Sequence, residues 1–209
     1  MVSFAPGADL QFGRPMKLTL PSKAMNPRTK KRTGKADWFQ AALQVLGDEG
    51  VSGVRVERLA RDLGVTKGGF YWHFMDRQDL LMQLLDYWAH EYTAVVTENV
   101  ELRMLDPKTR LLRIAEIVLE HDLGGFDLSF WAWAADDREV ARRVAGVVRT
   151  RLEYVGEAFA ELGFEGDELE MRTRLFVCYE PWQRTTYPRV SKKRLRELLH
   201  LRLALLTDG

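Results

Sequence analysis

The sequence predicts an all-α fold, and three observations carry that prediction. Apolar residues recur at helical spacing near the N-terminal end, as Ala36, Phe39, Ala42, Leu43 and Leu46 do. The C-terminal half shows none of the apolar–polar alternation of a half-buried strand. Breaks fall where helices should stop, at Gly50, Gly64, Asp106-Pro107, Gly124-Gly125, Gly163 and Pro188. A hydrophobic content of 46% supports a real core, and 209 residues suit one helical body or two modest domains.

The elements follow in order. Residues 1–32 carry four of the seven prolines, and Arg14 to Lys35 holds eight basic residues and no acid. That composition predicts a flexible basic arm, which either follows DNA phosphates or is simply solvated. A chain starting at Met25 would fit it equally well. The first helix is expected over about 34–50, and Gly50-Val51-Ser52-Gly53 is a connection. Val56, Leu59, Ala60 and Leu63 then fall at i, i+3, i+4 and i+7 and make one apolar face. Gly64 supplies the positive φ that a tight turn asks for. A second short run, Thr66–Phe74, follows after one residue. Two short helices across such a turn form a helix-turn-helix, whose second helix fits the DNA major groove. Phe70 and Phe74 can pack inward, which leaves Lys67, Tyr71, Trp72 and His73 on the remaining surface.

Asp76, with Asp79 three residues on, reads as the N-cap of a fourth helix. It is expected to run to about Met104, roughly 28 residues and ~40 Å at the usual rise. Asp106-Pro107 ends it and starts the next. Further helices are expected at about 107–123, 126–135, 137–162, 167–185 and 191–207. Pro181 should kink or shorten the fourth of these near Glu180. The stretch Leu195–Leu206 holds seven leucines in twelve residues, more than one buried stripe can use. Some are therefore expected to face a second copy of the chain.

Residues 34–85 resemble the DNA-binding domain of TetR-family transcriptional regulators. The resemblance rests on Leu59-Ala60, Gly64-Val65, Thr66-Lys67-Gly68, Phe70-Tyr71, Trp72-His73-Phe74, Arg77 and Leu80-Leu81. Gly69 departs from the pattern, adding a second glycine where one is usual. The resemblance implies an N-terminal three-helix helix-turn-helix domain joined by a long helix to a C-terminal helical ligand-binding and dimerisation domain. The expected division is an arm over 1–32, a DNA-binding domain over 33–93 and the ligand-binding and dimerisation domain over 94–209. Carried over residue by residue, the resemblance implies DNA contacts for Arg55, Thr66, Lys67, Gly68, Tyr71, Trp72, His73 and Arg77. Thr66 would cap the recognition helix, Lys67 would reach a guanine edge or a phosphate, and Arg77 would pair with phosphate.

Aromatic residues crowd the body. Trp88, Tyr92, Phe126, Phe130, Trp131 and Tyr179 are candidates for an effector pocket, with plain core packing as the alternative. His121 and Arg174 are candidate orienting groups beside them. Phe176, Leu195, Leu199, Leu203 and Leu206 are the candidate dimer contacts, since the family dimerises through its last two long helices.

Charge supports the same division. Residues 1–85 hold 13 basic and 8 acidic residues, and residues 86–209 hold 18 and 22. A basic head on an acidic remainder suits DNA. The single cysteine, Cys178, excludes an intrachain disulfide and suits a reducing cytoplasm. The start MVSFAPGADL lacks the pattern of a secretory signal, and no run approaches the ~18–20 apolar residues of a membrane span. The four histidines are scattered, and no cluster has metal-ligand spacing. No nucleophile elbow, phosphate loop or dinucleotide fingerprint appears. The expectation is a cytoplasmic homodimer that needs no cofactor or metal and is not an enzyme. It would bind double-stranded operator DNA as a repressor and leave it when a small-molecule effector binds. Release by a protein partner is the alternative, and an all-α enzyme a distant one.

Overall fold

The computed structural model describes residues 33–186 and 190–208. The basic segment 1–32, and with it the expected arm, lies outside the described residues, as does Pro188. Helix α1 spans Lys35–Glu49 and buries Trp38, Phe39, Ala42, Leu43, Val45 and Leu46. A 3-10 turn at Val51–Gly53 leads to α2, Val56–Asp62, and then to α3, Lys67–Tyr71. Gly64 takes φ +66° between them, and the Val65 N–H closes the turn on the Ala60 carbonyl at 2.9 Å. Helix α4 spans Arg77–Ala89. Its start is capped as the sequence indicates: Asp76 accepts from the Asp79 N–H at 2.8 Å, and Asp79 accepts from the Met75 N–H at 2.9 Å.

The expected 28-residue helix does not form as one piece. After Ala89 the chain widens into a π turn at His90–Ala94, continues as α5, Val95–Thr97, and breaks at Glu98. A separate helix α6, Val100–Arg103, begins at Asn99, whose side chain accepts from the Leu102 N–H at 3.1 Å. Two local causes act together. Thr93, Val95, Val96 and Thr97 are β-branched and crowd a helix, and Asn99 is among the strongest N-caps.

The remaining boundaries fall within two residues of expectation. Helix α7 spans Pro107–His121 under an Asp106 cap, and Asp122 leaves it in the left-handed conformation at φ 59°. Helices α8, Asp127–Asp136, and α9, Arg138–Glu161, follow, the latter capped by Asp137. Helix α10 spans Gly166–Thr186 and α11 spans Lys192–Thr207. Pro181 does not shorten α10, which continues for another turn beyond it. Neither a strand nor a helix long and apolar enough to cross a membrane occurs among the described residues.

Two apolar cores hold this together. The first joins Trp38, Phe70, Leu81 and Trp88 of α1–α4 to Phe130 of α8 and Val140 and Val144 of α9. The second is built from Leu111, Ile114, Phe159, Phe176, Leu199 and Leu203 on α7, α9, α10 and α11. Helix α9 contributes to both and packs on α4, α7, α8 and α10. It therefore connects the first helices to the body.

Candidate nucleic-acid interface and body cavity

The short helices of the head sort their side chains by chemistry. Phe70 and Phe74 point inward, 5.1 Å apart between ring centroids, and Phe70 meets Trp38 edge-on at 5.4 Å. Both rings are buried, which fixes α3 against α1. The opposite side of α3 is left to solvent. Tyr71 is 61% exposed and Trp72 85% exposed. Lys67 and Gly68 are exposed at its start, and Arg55 is exposed at the start of α2. His73 is half-buried, its ring 6.1 Å from that of Phe74. A tyrosine and a tryptophan presented this openly by a helix of five residues lose apolar contact unless something covers them.

Three of the expected contacts differ in detail. Thr66 stands at the N-cap position of α3, but its side chain makes no capping bond. The Lys67 ammonium is held by the Glu57 carboxylate at 2.7 Å. Arg77 has partners within the chain: its Nε donates to the Val54 carbonyl at 2.6 Å and its Nη2 to the Val51 carbonyl at 2.5 Å. These bonds tie the start of α4 to the connection before α2. The Val51 carbonyl also accepts from the Val54 N–H at 3.2 Å, so the guanidinium gives it a second partner.

The body holds a partly open apolar cavity of about 70 Å³ between the π turn and helices α7, α9, α10 and α11. Of the eight expected pocket residues only Tyr92 lines it. Burial pushes its hydroxyl up to about 12. Trp88 and Phe130 are instead fully buried and stacked, 4.3 Å apart, in the first core. Phe126 packs edge-on against the Tyr92 ring at 5.7 Å, and Trp131 leans on that same core. His121 is exposed at the end of α7, and Arg174 is exposed and paired with Glu170. Tyr179 lies under the Arg202 guanidinium, 4.2 Å from it, and does not reach the cavity wall.

The polar groups of the wall were not anticipated. Asp127, only 1% exposed, pairs with Arg151, which also donates from Nε to Thr93 Oγ1 at 2.8 Å and from Nη2 to the Tyr92 carbonyl at 3.2 Å. The indole N–H of Trp88 adds a further bond to Asp127 at 3.2 Å. Glu180 and Arg202 form a second pair at 2.8 Å. Burial pushes the Glu180 carboxyl above its usual range, against the pull of Arg202. A signal for both arginines was present. Arg151 falls in the apolar row Val144, Val147, Tyr154 and Val155 of α9, and Arg202 in the row Leu199, Leu203 and Leu206 of α11. A charge inside a buried stripe needs a buried partner.

Four of the five expected dimer residues pack inside the chain itself. Phe176, Leu199, Leu203 and Leu206 are buried in the chain's own second core, and Leu195 is half-buried. The large apolar residues that face outward are Met171, Leu175 and Trp182 on α10 and Leu201 and Leu205 on α11. The helices chosen for the interface thus do carry exposed apolar residues, Met171 and Leu175 four apart on α10 and Leu201 and Leu205 four apart on α11, while Leu199, Leu203 and Leu206 supply the core.

Residues 39–84 match the family model described as "Bacterial regulatory proteins, tetR family". The HTH-type transcriptional regulator AcrR of Shigella flexneri is 40% identical over 81 residues, which cover 39% of this chain and 36% of that protein. The chain spans about a third or less of the length of the curated relatives it matches. The fold extends further than the sequence likeness. A transcriptional regulator from Rhodococcus sp. Rha1 superposes with a TM-score of 0.67 at 18% identity, over 85% of this chain and 97% of the other. The transcriptional regulator FadR from Bacillus subtilis, in complex with stearoyl-CoA, superposes with a TM-score of 0.63 at 16% identity, over 84% and 99%. The matched segment ends inside α4, before the π turn, so the cavity is built wholly by residues outside it.

Proposed function

We propose that the chain is a DNA-binding transcriptional regulator that works as a homodimer, represses from a double-stranded operator, and is released by a small-molecule effector in the body cavity. The observation that carries the DNA reading is the open face of α3, where Lys67, Tyr71 and Trp72 stand exposed within a tetR-family helix-turn-helix. The body cavity supports the effector reading, as does the fold it shares with a regulator that takes a coenzyme A ester. Coupling would run through Arg151. It grips the π turn that continues α4, and α4 carries the head. A ligand that shifts this wall would shift α4 and change the spacing of the two recognition helices in the dimer.

The test is a gel shift at fixed salt on the operator found by footprinting. Lys67→Ala and Tyr71→Ala should each weaken binding by about tenfold or more while the thermal midpoint stays within a few degrees of the parent. Unaltered affinity in both variants would remove α3 from the interface.

A further inference from the structure

We infer that Phe126 is a positioning residue that carries movement of the cavity wall directly to helix α1 of the head, beside the path through Arg151 and α4. This rests on the effector reading above and adds the residue by which an occupied cavity reaches the recognition helix.

The turn between α7 and α8 spans the two cores within a few residues. Leu123 is buried in the second core, and Phe126, three positions on, packs against the first. Leu123, Gly124 and Asp127 line the cavity, whereas Phe126 does not. Asp122 starts the turn in the left-handed conformation at φ 59°, and Asp127 ends it in a buried pair with Arg151. Gly124 lies against α10, where a Cβ built on it would stand 3.5 Å from the Pro181 nitrogen. The turn is therefore gripped along its length. Packed interiors of this kind pass a displacement on, because there is no free volume to absorb it. What moves this part of the wall moves Phe126.

Phe126 touches the cavity lining and the head at once. Its ring meets Tyr92 edge-on at 5.7 Å, and Tyr92 lines the cavity and packs against both cores. The same ring faces α1 at Gly47: a Cβ built there would stand 3.4 Å from its Cε1 and 3.5 Å from its Cδ1. Gly47 lies inside α1, where glycine weakens a helix, and its bare backbone lets the ring come this close. From α1 the path to the recognition helix is short. Trp38 meets Phe70 edge-on at 5.4 Å, and Phe39 meets Phe74 at 5.6 Å. The head is thus held to the wall at two places, α4 by Arg151 on the π turn and α1 by Phe126. Two attachments fix the orientation of the head, where one would leave it free to swivel.

The experiment fills the cavity by substitution and follows the head by hydrogen exchange on the full chain. Ala115→Leu and Val177→Phe, at two wall positions outside the turn, each add atoms to the cavity. Exchange of the α1 amides and of the α4 amides should rise about threefold or more in both variants. In a Phe126→Ala background the α4 response should remain, while the α1 response should fall to about half or less. A general loss of stability would move both helices together, so the split reads Phe126 alone. Phe126→Val, which lacks the ring atoms that face Gly47, should give the same split and serves if the alanine variant loses its helical signal. The inference is overturned if α1 responds as strongly without the ring as with it. It is equally overturned if both responses vanish together, or if filling the cavity leaves α1 unchanged while Phe126 is in place. A gel shift on the footprinted operator separates the two readings: an exchange response through Phe126 that leaves operator affinity unaltered would end the effector reading and leave the role of Phe126 standing.

Discussion

Glu57 and Arg77 show how a single side chain changes what the head can do. Glu57 stands on α2 and holds the Lys67 ammonium at 2.7 Å, and both groups are exposed. The Lys67 hydrogen bond is also the main reason that the Glu57 carboxyl sits below its ordinary range. An exposed pair of this kind adds little to folding, because water competes for both charges. On DNA it matters more, since Lys67 must leave Glu57 to reach a phosphate or base, and Glu57 itself repels phosphate. Glu57→Gln should leave the thermal midpoint unchanged and tighten operator binding severalfold at low salt, the gain fading as salt rises. Weaker binding instead would mean that Glu57 positions Lys67. Arg77 has the opposite character. It bonds two carbonyls, so Arg77→Met should cost about 2 kcal/mol of stability in urea denaturation, the usual worth of hydrogen bonds to a charged group. The salt slope of operator binding should stay as it was. A slope lowered by one unit would restore Arg77 as a phosphate contact.

Elements were legible where a local signal sets them and illegible where a distant group does. Asp76, Asp106, Asp137 and Ser191 all cap the helices that follow them, and Gly64 makes the turn. The break after Thr97 had local signals in the β-branched run and Asn99, but the π turn at His90–Ala94 before it also meets Arg151, some 60 positions along the chain. The cavity was hidden for the same reason: its polar wall comes from five helices, and counting aromatics found the core instead. Gly69 is the one departure inside the recognition motif, and it tests whether the second glycine serves DNA. A Cβ built at Gly69 meets nothing within 4 Å, and its backbone does not take a positive φ. Gly69→Ala should therefore stabilise the chain by about 0.5–1 kcal/mol, read as a rise in the urea midpoint. If the glycine exists for close approach to phosphate, the same variant should bind operator less tightly. Higher stability with unchanged affinity would assign Gly69 no role in binding.

At the scale of the whole molecule the leucine count in α11 was informative, but the choice among the leucines needed the structure. Leu199, Leu203 and Leu206 complete the second core, whereas Leu201 is 57% exposed and Leu205 71% exposed. Met171 and Leu175 continue an apolar row on α10, with Cys178 exposed in the same row one turn further. A regulator that reads two half-sites needs its heads linked at fixed spacing, and this face is where a second copy would join them. The two classes of leucine then predict opposite failures. Leu203→Glu places a carboxylate in the chain's own core and should unfold it, at a cost of several kcal/mol. Leu201→Glu and Leu205→Glu leave that core intact, so the chain should keep its helical signal and its midpoint at low concentration. Light scattering at micromolar concentration should then find a monomer, and operator affinity should fall to that of a single half-site. Cys178 is the chain's single cysteine, so a short bismaleimide should link two copies of the parent and fail to link the Leu201→Glu, Leu205→Glu double variant. A parent chain that scatters as a monomer yet holds its operator tightly would end the dimer model, because one head cannot then be owing its affinity to the other.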